Sequence, residues 1–563
     1  MSITAQEQNL GRKVIYQIYP KSFYDSNGDG IGDLQGIIAK IPYLKKLNID
    51  MIWFNPFFVS PPQNDNGYDI ADYYQVDPLF GTMADFEELA QKLSALNISI
   101  MLDMVFNHCS TSHPWFQKAL AGDPKYRAYF YIRPPKQDGT APTNWQSKFG
   151  GSAWGKFGTS SDYYLHLYDP TQADLDWHNP DVRQEAAKIV NFWRKKGVKG
   201  FRFDVINVTG KQTILRDSTD PLQEKKLYTD TPVVHTYLKE LNQASFGQDP
   251  EIVTVGEMSS TTVANSIAYT QPPQNHELSM VFTFHHLKVD YQNGNKWQTV
   301  PFDFMKLKKL LFEWQHELDL HGGWNALFWN NHDQPRALNR FGDVHKYREK
   351  SAEMLALALH LLRGTPPFIY QGEELGMTDP TYSKISSYHD IETRNAYHEL
   401  LQAGYPAQKA FKAVSLKSRD NSRTPMQWTA AKYAGFSQVK PWLLPSNQAT
   451  INVAHELADG EIFAFYQKLI KLRKTEDIIA GGHFEALFAT HPPQVFAYRR
   501  FLEEEQLIVL ANFYGKETVV KLPPALRGTF KLLLANYPIP SYSAVPAQIK
   551  LRPYEALAFK LIL

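Results

Sequence analysis

Four polar clusters in the sequence close four short apolar runs, each of which could be a β-strand. Asp103 leads to Asn107-His108, Arg202-Phe203 leads to Asp204, Gly256 leads to Glu257, and Asn331-His332 leads to Asp333. If the runs are parallel strands, their carboxyl ends share one rim, and these carboxylates, histidines and arginine converge there. Carboxyl groups brought together do not titrate alike. One that is raised and protonated can serve as an acid, while another kept ionised by an arginine can attack as a nucleophile. Burial alone gives no reason to gather titratable groups on one rim, although a structural ion network is the competing explanation.

Positioning these groups requires a sheet. Eight apolar runs could supply it: Val14 to Tyr19, Met51 to Asn55, Ile98 to Val105, Val198 to Phe203, Ile252 to Val255, Met280 to Phe284, Ala326 to Trp329 and Pro367 to Tyr370. Between them lie helical patterns such as Ile37, Ile38, Ile41, Leu44, Leu47 and Phe86, Leu89, Ala90, Leu93, whose spacing makes one face apolar. This alternation predicts an α/β fold, a closed (β/α)8 TIM barrel. The gap of about 90 residues before Val198 is too long for a βα connection and is rich in Pro, Gly, Trp and Tyr. An inserted domain is therefore expected over residues 107–174, leaving the barrel residues 1–106 and 175–478. A polar, irregular subdomain is expected at about 372–444, after which Glu461 to Arg473 resumes a helical pattern. Beyond about Ile479 come alternating runs, Val495 to Arg499, Leu507 to Asn512, Thr518 to Leu522, Thr529 to Leu534 and Ala556 to Lys560. With prolines between them, they predict a C-terminal antiparallel β domain over residues 479–563.

Composition bounds the partners. Lys plus Arg number 59 against 58 Asp plus Glu, so a net charge of +1 supplies no global field for nucleic acid or an anionic membrane. Cys109 is the only cysteine and can form no intramolecular disulfide. The first ten residues are mostly polar, unlike a secretory signal, and a cytoplasmic protein is expected. A monomer acting on a small molecule is the expected form. The 12 Trp, 30 Tyr and 34 Phe suit stacking on sugar rings, although an aromatic-rich core would also account for them.

The clusters are also recognisable as motifs. GFRFDV (Gly200 to Val205), VGE (Val255 to Glu257), NHDQ (Asn331 to Gln334) and DMVFNH (Asp103 to His108) resemble the four signature regions of the α-amylase family of glycoside hydrolases. GYDIADY (Gly67 to Tyr73) resembles a fifth. The resemblance runs in order over nearly the whole chain and implies a (β/α)8 barrel with a domain inserted after strand three and a C-terminal β domain. Cleaving a glycoside through an oxocarbenium-like transition state needs one carboxylate as nucleophile and one protonated carboxyl as acid. The resemblance implies Asp204 as nucleophile, with Arg202 on the same strand face keeping it ionised. It implies Glu257 as general acid and then base, and Asp333 as the group that holds sugar hydroxyls, with His108 and His332 donating hydrogen bonds to the same ring. Asp69 resembles an aspartate that binds the nonreducing-end glucose. SRDNSRTPMQW (Ser418 to Trp428) resembles the motif that supplies its arginine, for which Arg423 is preferred to Arg419. That pair would shut the pocket beyond one glucose and impose exo action.

Two segments narrow the expectation. DSNGDGIGD places Asp25, Asn27, Asp29 and Asp33 at near-alternate positions, oxygen ligands suited to a hard cation. The twelfth residue from Asp25 is Gly36, so the loop is not an EF-hand, and an ordinary Asx turn is the plainer reading. It resembles a calcium loop of the oligo-1,6-glucosidase branch, in which the carbonyl at Ile31 also coordinates. The resemblance implies a structural calcium and no cofactor for catalysis. Val205 after the nucleophile resembles enzymes that cut α-1,6 bonds or trehalose phosphate. FTFHHLKVDYQNGNKW (Phe282 to Trp297) resembles the trehalose-6-phosphate hydrolases and departs from the oligo-1,6-glucosidases. It offers Lys288 and Lys296 as point charges for a phosphate. The expected activity is retaining hydrolysis of a phosphorylated disaccharide, α,α-trehalose 6-phosphate. An oligo-1,6-glucosidase is the second expectation, followed by a sucrose isomerase-type transglycosylase or an inactive relative.

Overall fold

Eight runs in which nearly every side chain is buried form the parallel strands β1 Ile15–Ile18, β2 Met51–Phe54, β3 Ser99–Val105, β4 Gly200–Asp204, β5 Val253–Glu257, β6 Met280–Phe282, β7 Leu327–Phe328 and β8 Pro367–Tyr370. The computed structural model describes residues 5–61, 65–271, 277–364, 367–539 and 544–562. Burial on both faces is what a parallel sheet wrapped in helices requires. The strands hydrogen-bond in the order β6-β5-β4-β3-β2-β1-β8-β7. A parallel bridge from Val281 to Asn325, with the Ala326 N–H donating to the Val281 carbonyl at 3.0 Å, joins the two ends into a barrel. The expected eight strands are all present, with ends shifted by one or two residues.

Register aligns the chemistry. Arg202 pairs with Asp103 on one side and Val255 on the other, and Glu257 pairs with Phe282, so the polar groups leave the barrel at one level. Alternation turns Arg202 and Asp204 to one face of β4, while Phe203 packs against Phe106 and Phe246 on the other. Local signals set the crossovers. Thr82 and Asp85 form a capping box at the start of helix Met83–Ser94. Asn179 caps helix Pro180–Lys195, whose Trp193 indole donates to the Tyr73 carbonyl at 2.8 Å.

Between β3 and β4 the chain leaves and returns through an antiparallel ribbon of His108–Ser110 with Gln172–Asp174. Beyond the ribbon lie two short helices and a sheet of Ile132–Arg133, Tyr163–Leu165 and Trp154–Lys156. The stretch expected to be irregular after β8 is in part helical, at Ile391–Gln402 and Ala407–Ser415. Asp390 starts the first of these by accepting from the Thr393 N–H. The C-terminal part is an antiparallel sheet in the order His483–Leu487, Val495–Leu502, Glu505–Asn512, Ala556–Leu561, Phe530–Ala535, beside a ribbon of Thr518–Lys521 and Gln548–Leu551. It is tied to the barrel where buried Arg500 donates to the Leu361 carbonyl at 2.7 Å. Among the described residues, no helix is long and apolar enough to cross a membrane.

Candidate active site

One buried guanidinium organises the rim. Arg202 donates from Nη1 to Asp103 Oδ1 and to Asp204 Oδ1, each at 2.7 Å, and from Nη2 to Glu257 Oε2. Three carboxyls around one cation cannot all stay ionised. Burial raises Glu257 well above the usual carboxyl range; Arg202 opposes this, and Asp204 and Asp333 add to it. Of the carboxyls that line the cavity around Arg202, the raised Glu257 is the seat of a proton. Asp103 is pushed up to about 7, chiefly by burial and despite Arg202. It accepts from Tyr68 Oη at 2.9 Å and from the Trp53 indole at 3.3 Å, which fixes the arginine from behind.

Asp333 faces the same space with the opposite bias. Burial alone would raise it, but His332, Arg419 and Arg423 override that and hold it well below the usual carboxylate range. Arg423 Nη2 lies 2.9 Å from Asp333 Oδ1, and Arg423 Nε donates to the His332 carbonyl at 2.7 Å. His332 is buried and depressed well below the usual histidine range, first by burial and then by the arginines, although Asp333 opposes. Gln17 Nε2 sits 3.0 Å from His332 Nδ1, which leaves the proton on Nε2, 3.1 Å from Asp333 Oδ2. His108 is likewise lowered by burial, and its Nε2 lies 3.1 Å from the Tyr68 carbonyl.

The expected pair of Asp69 with Arg423 does not form. Asp69 is buried against Ser60, whose hydroxyl donates to it at 2.5 Å, and Arg423 is occupied with Asp333. The carboxylate facing the cavity is Asp65, and its partner is Arg419, the less favoured arginine, at 2.9 Å. The cause is the turn at Gly67, where φ is +100° and an added Cβ would meet the Pro56 carbonyl at 3.0 Å. The turn sends Asp65 and Tyr68 to the cavity and leaves Asp69 behind them. Asp390, also unpredicted, accepts from Arg419 Nη2 at 2.6 Å and from Nε at 2.9 Å. The Asp-Asn-Gly turn at residues 65–67 was the available signal for Asp65. Asp390 is marked locally only as the cap of helix Ile391–Gln402, not as a partner for an arginine.

These groups line a cavity of about 310 Å³ with Asp204, Glu257 and Asp333 on its floor and Phe149, Tyr168 and Phe284 along its walls. A larger cavity of about 870 Å³ lies at the amino ends of the strands. Its acids Asp249 and Glu251 are paired with Lys199, so size does not mark the chemistry. Lys288 and Lys296 both stand at the smaller cavity. Lys296 is paired with Glu392 at 2.5 Å, whereas Lys288 forms no ion pair among the described residues and is pushed down to about 8, first by its desolvating walls and then by Lys225 and Lys296. Lys148, not anticipated from the sequence, lines the cavity with them.

The acidic loop near the amino end is closed on itself. Asp25 accepts from the Gly28 N–H at 2.7 Å, the Gly30 N–H at 2.9 Å and the Ser437 hydroxyl at 2.5 Å. Asp29 accepts from the Ile31 N–H, and its own N–H donates to Asn27 Oδ1. Asp33 caps helix Leu34–Ala39 through the Gly36 N–H at 2.6 Å. The hard oxygen donors suit calcium, and the exposed Asn27 and Asp29 have lone pairs to spare. Among the described residues, no group of three or more His, Cys, Asp or Glu is gathered as a metal site.

Comparison with known proteins agrees with this fold. Residues 17–482 match the α-amylase catalytic domain, and residues 484–557 match the C-terminal domain of maltogenic amylase. The chain is 47% identical over 556 residues to the trehalose-6-phosphate hydrolase of Bacillus subtilis (strain 168), covering 98% of each chain. It is 45% identical over 559 residues to the oligo-1,6-glucosidase of Parageobacillus thermoglucosidasius, covering 97% of this chain and 98% of the other. The crystal structure of Bacillus licheniformis trehalose-6-phosphate hydrolase superposes with a TM-score of 0.92 at 48% identity, covering 98% of this chain and 100% of the other. Matching over almost its full length in sequence, barrel and C-terminal sheet, the chain belongs to the α-amylase family of glycoside hydrolases.

Proposed function

We propose that the enzyme is a retaining, exo-acting α-glucosidase that hydrolyses α,α-trehalose 6-phosphate to glucose and glucose 6-phosphate. The observation that carries this reading is Lys288, which forms no ion pair among the described residues and lines the same cavity as Asp204 and Glu257. A sugar phosphate supplies the missing anion, whereas an isomaltose unit does not. Recognition is local, because a net charge of +1 gathers no dianion from a distance.

The chemistry follows from the floor. Asp204 attacks the anomeric carbon while Glu257 gives its proton to the departing glycosidic oxygen. Water then displaces Asp204 from the glucosyl carbon as Glu257 takes a proton back. Both carboxyls bond the one Arg202 guanidinium, Asp204 at Nη1 and Glu257 at Nη2, and that closeness favours double displacement over inversion. Asp333, ionised by its arginines, holds ring hydroxyls and stabilises the cationic transition state. Asp65 and Arg419 close the far end and limit the cavity to one glucose. The acidic loop would hold a structural calcium, which takes no part in these steps. The working form is a cytoplasmic monomer that binds neither nucleic acid nor membrane.

The 45% identity to an oligo-1,6-glucosidase keeps isomalto-oligosaccharides as the second reading. Product analysis with trehalose 6-phosphate, trehalose, isomaltose and sucrose separates the two. Preferred release of glucose 6-phosphate from trehalose 6-phosphate is expected. Faster cleavage of isomaltose replaces the first reading with the second, and isomerised sucrose replaces both with a transglycosylase.

A further inference from the structure

Two buried amides stand behind His332 and Tyr68, outside the cavity lining. Gln17 lies within β1, and Asn55 follows the last residue of β2. Gln17 Nε2 donates to Asn55 Oδ1 at 2.8 Å and reaches His332 Nδ1 at 3.0 Å. Asn55 Nδ2 in turn donates to Tyr68 Oη at 2.8 Å. The phenol closes the circuit, because its oxygen lies 2.7 Å from His332 Nε2 and 2.9 Å from Asp103 Oδ2, the carboxyl that backs Arg202. The two rings are within 2° of parallel, which aims the imidazole edge at the phenol oxygen.

Counting protons gives the circuit a direction. In the observed sense Gln17 gives one N–H to Asn55 and the other to His332 Nδ1, so the imidazole proton sits on Nε2 and points at Tyr68 Oη. Asn55 gives an N–H to the same oxygen, and the phenol gives its own proton to Asp103. Every contact then has one donor and one acceptor, and Asp103 accepts as an ion. Turned over, Gln17 Oε1 would accept from Asn55 and from His332 Nδ1. Asn55 Oδ1, the bare Nε2 and Asp103 would then compete for one phenol proton. The Gln17 NH2 would also be left where its Oε1 now stands, without a partner among the described residues. Idling one oxygen costs less than idling two N–H donors in a buried place.

We propose that Gln17 and Asn55 are positioning residues that set the direction of this circuit, holding His332 as an Nε2–H donor toward the sugar and keeping the Tyr68 proton on Asp103, so that Arg202 has an ionised partner behind Asp204 and Glu257. Neither amide touches substrate. Gln17 acts through the imidazole and Asn55 through the phenol, and both act on the glucose end of the cavity. The inference rests on the α-glucosidase reading of the cavity floor and is independent of how a phosphate is recognised.

The test reads the His332 tautomer by ¹⁵N NMR of enzyme labelled in its histidine rings, the signal being assigned by its loss in His332→Gln. The unmodified enzyme should show Nε2 protonated and Nδ1 bare. Gln17→Glu fills the same space but accepts where the amide donated, so it should put a proton on Nδ1, whereas Gln17→Met should leave a mixture of tautomers. Asn55→Asp still accepts from Gln17 but no longer donates to Tyr68, so the tautomer should stay as it is. Turnover of p-nitrophenyl α-glucoside is measured on the same samples below the melting temperature of each. Losing the direction should lower kcat by about ten- to a hundredfold in all three variants, with KM changed less, and Gln17→Glu should lose more than Gln17→Met because it imposes the wrong direction rather than none. A packing role predicts the reverse order. Nδ1–H in the unmodified enzyme, an unchanged tautomer in Gln17→Glu, a greater loss in Gln17→Met than in Gln17→Glu, or native kcat in Asn55→Asp overturns the inference. Should Gln17→Glu fail to fold, the mixed tautomers of Gln17→Met and the kcat of Asn55→Asp decide it. No cleavage of the glucoside by the unmodified enzyme removes the glucosidase reading and this inference with it, whereas cleavage that the variants leave unaltered removes only the inference.

Discussion

Arg419→Ala is the most demanding test of the charge arrangement. Its guanidinium is buried and bonded to Asp65 at 2.9 Å and to Asp390 at 2.6 Å, with Asp333 at 3.5 Å and Glu392 at 3.6 Å. Truncation leaves Asp65 and Asp390 buried without that cation, and breaking a buried ion pair from one side costs about 3–5 kcal/mol. At roughly 2.1 cal/mol/K of unfolding entropy per residue, a chain of 563 residues should lose about 3–4 °C of Tm. The pH dependence has a definite sign. Burial would raise Asp390, but Arg419 and Arg423 hold it well below the usual range. A depressed carboxyl contributes stability that is present above its unfolded value of about 4 and lost as pH falls through its folded value. Without Arg419 most of that contribution goes, so the deficit is fully expressed at neutral pH. Asp65, already pushed up to about 6 by burial, takes up a proton as the solution is acidified and relieves its share in the variant. The deficit should therefore shrink between about pH 7.5 and about pH 5. Thermal unfolding followed by circular dichroism at one scan rate reads it directly. A deficit below about 1 °C, or one equal at both pH values, refutes the ion-pair reasoning.

The remaining predictions are simpler. Asp204→Asn should keep the native melting temperature while losing nearly all turnover; near-native activity removes Asp204 from the mechanism. Glu257→Gln should cripple leaving-group protonation, and proton NMR of the unmodified enzyme should show α-glucose first, since a β anomer appearing first contradicts double displacement. Calcium should raise Tm without altering turnover by the folded enzyme; unchanged Tm and calcium response in Asp25→Ala and Asp29→Ala would make the loop a turn only. Because Lys288 is lowered to about 8 by its enclosure, Lys225 and Lys296, with Glu257 opposing, raising pH through that value discharges it in the free enzyme. The phosphate ester stays dianionic above about pH 6. The kcat/KM ratio of phosphorylated to plain trehalose should accordingly fall on the alkaline side, and a ratio flat with pH contradicts a role for the ammonium.

The barrel was legible because its information is local. A run such as Met51 to Phe54 is apolar on both faces only if helices cover both, and that requirement yields parallel strands without reference to any partner. The helices announce themselves in the same way, through Thr82 with Asp85 or Asn179 before Pro180. The stretch after β8 was harder to read. Ile391–Gln402 buries few of its side chains and carries no strong apolar stripe, so only its cap at Asp390 marks it.

The site divides along the same line. Asp204 and Glu257 end strands and Asp333 lies in the loop just after β7; strand ends are fixed by register, so their convergence followed once the strands were found. Charge partners depend instead on turns and on chain segments hundreds of residues apart. Asp65 and Asp69 both belong to the stretch around Gly67, and both could have met an arginine; the left-handed turn decides between them. Likewise Arg419 and Arg423 sit four apart on one short helical turn, yet one faces Asp65 and Asp390 while the other faces Asp333 and the His332 carbonyl. Without Arg419 at the far end, Asp65 and Asp390 would face each other without the guanidinium that bonds both, because Arg423 is held by Asp333 and the His332 carbonyl. The observed pairing satisfies all three carboxylates with two guanidinium groups, and that joint condition, invisible in any one motif, selects Arg419 for the far end of the cavity.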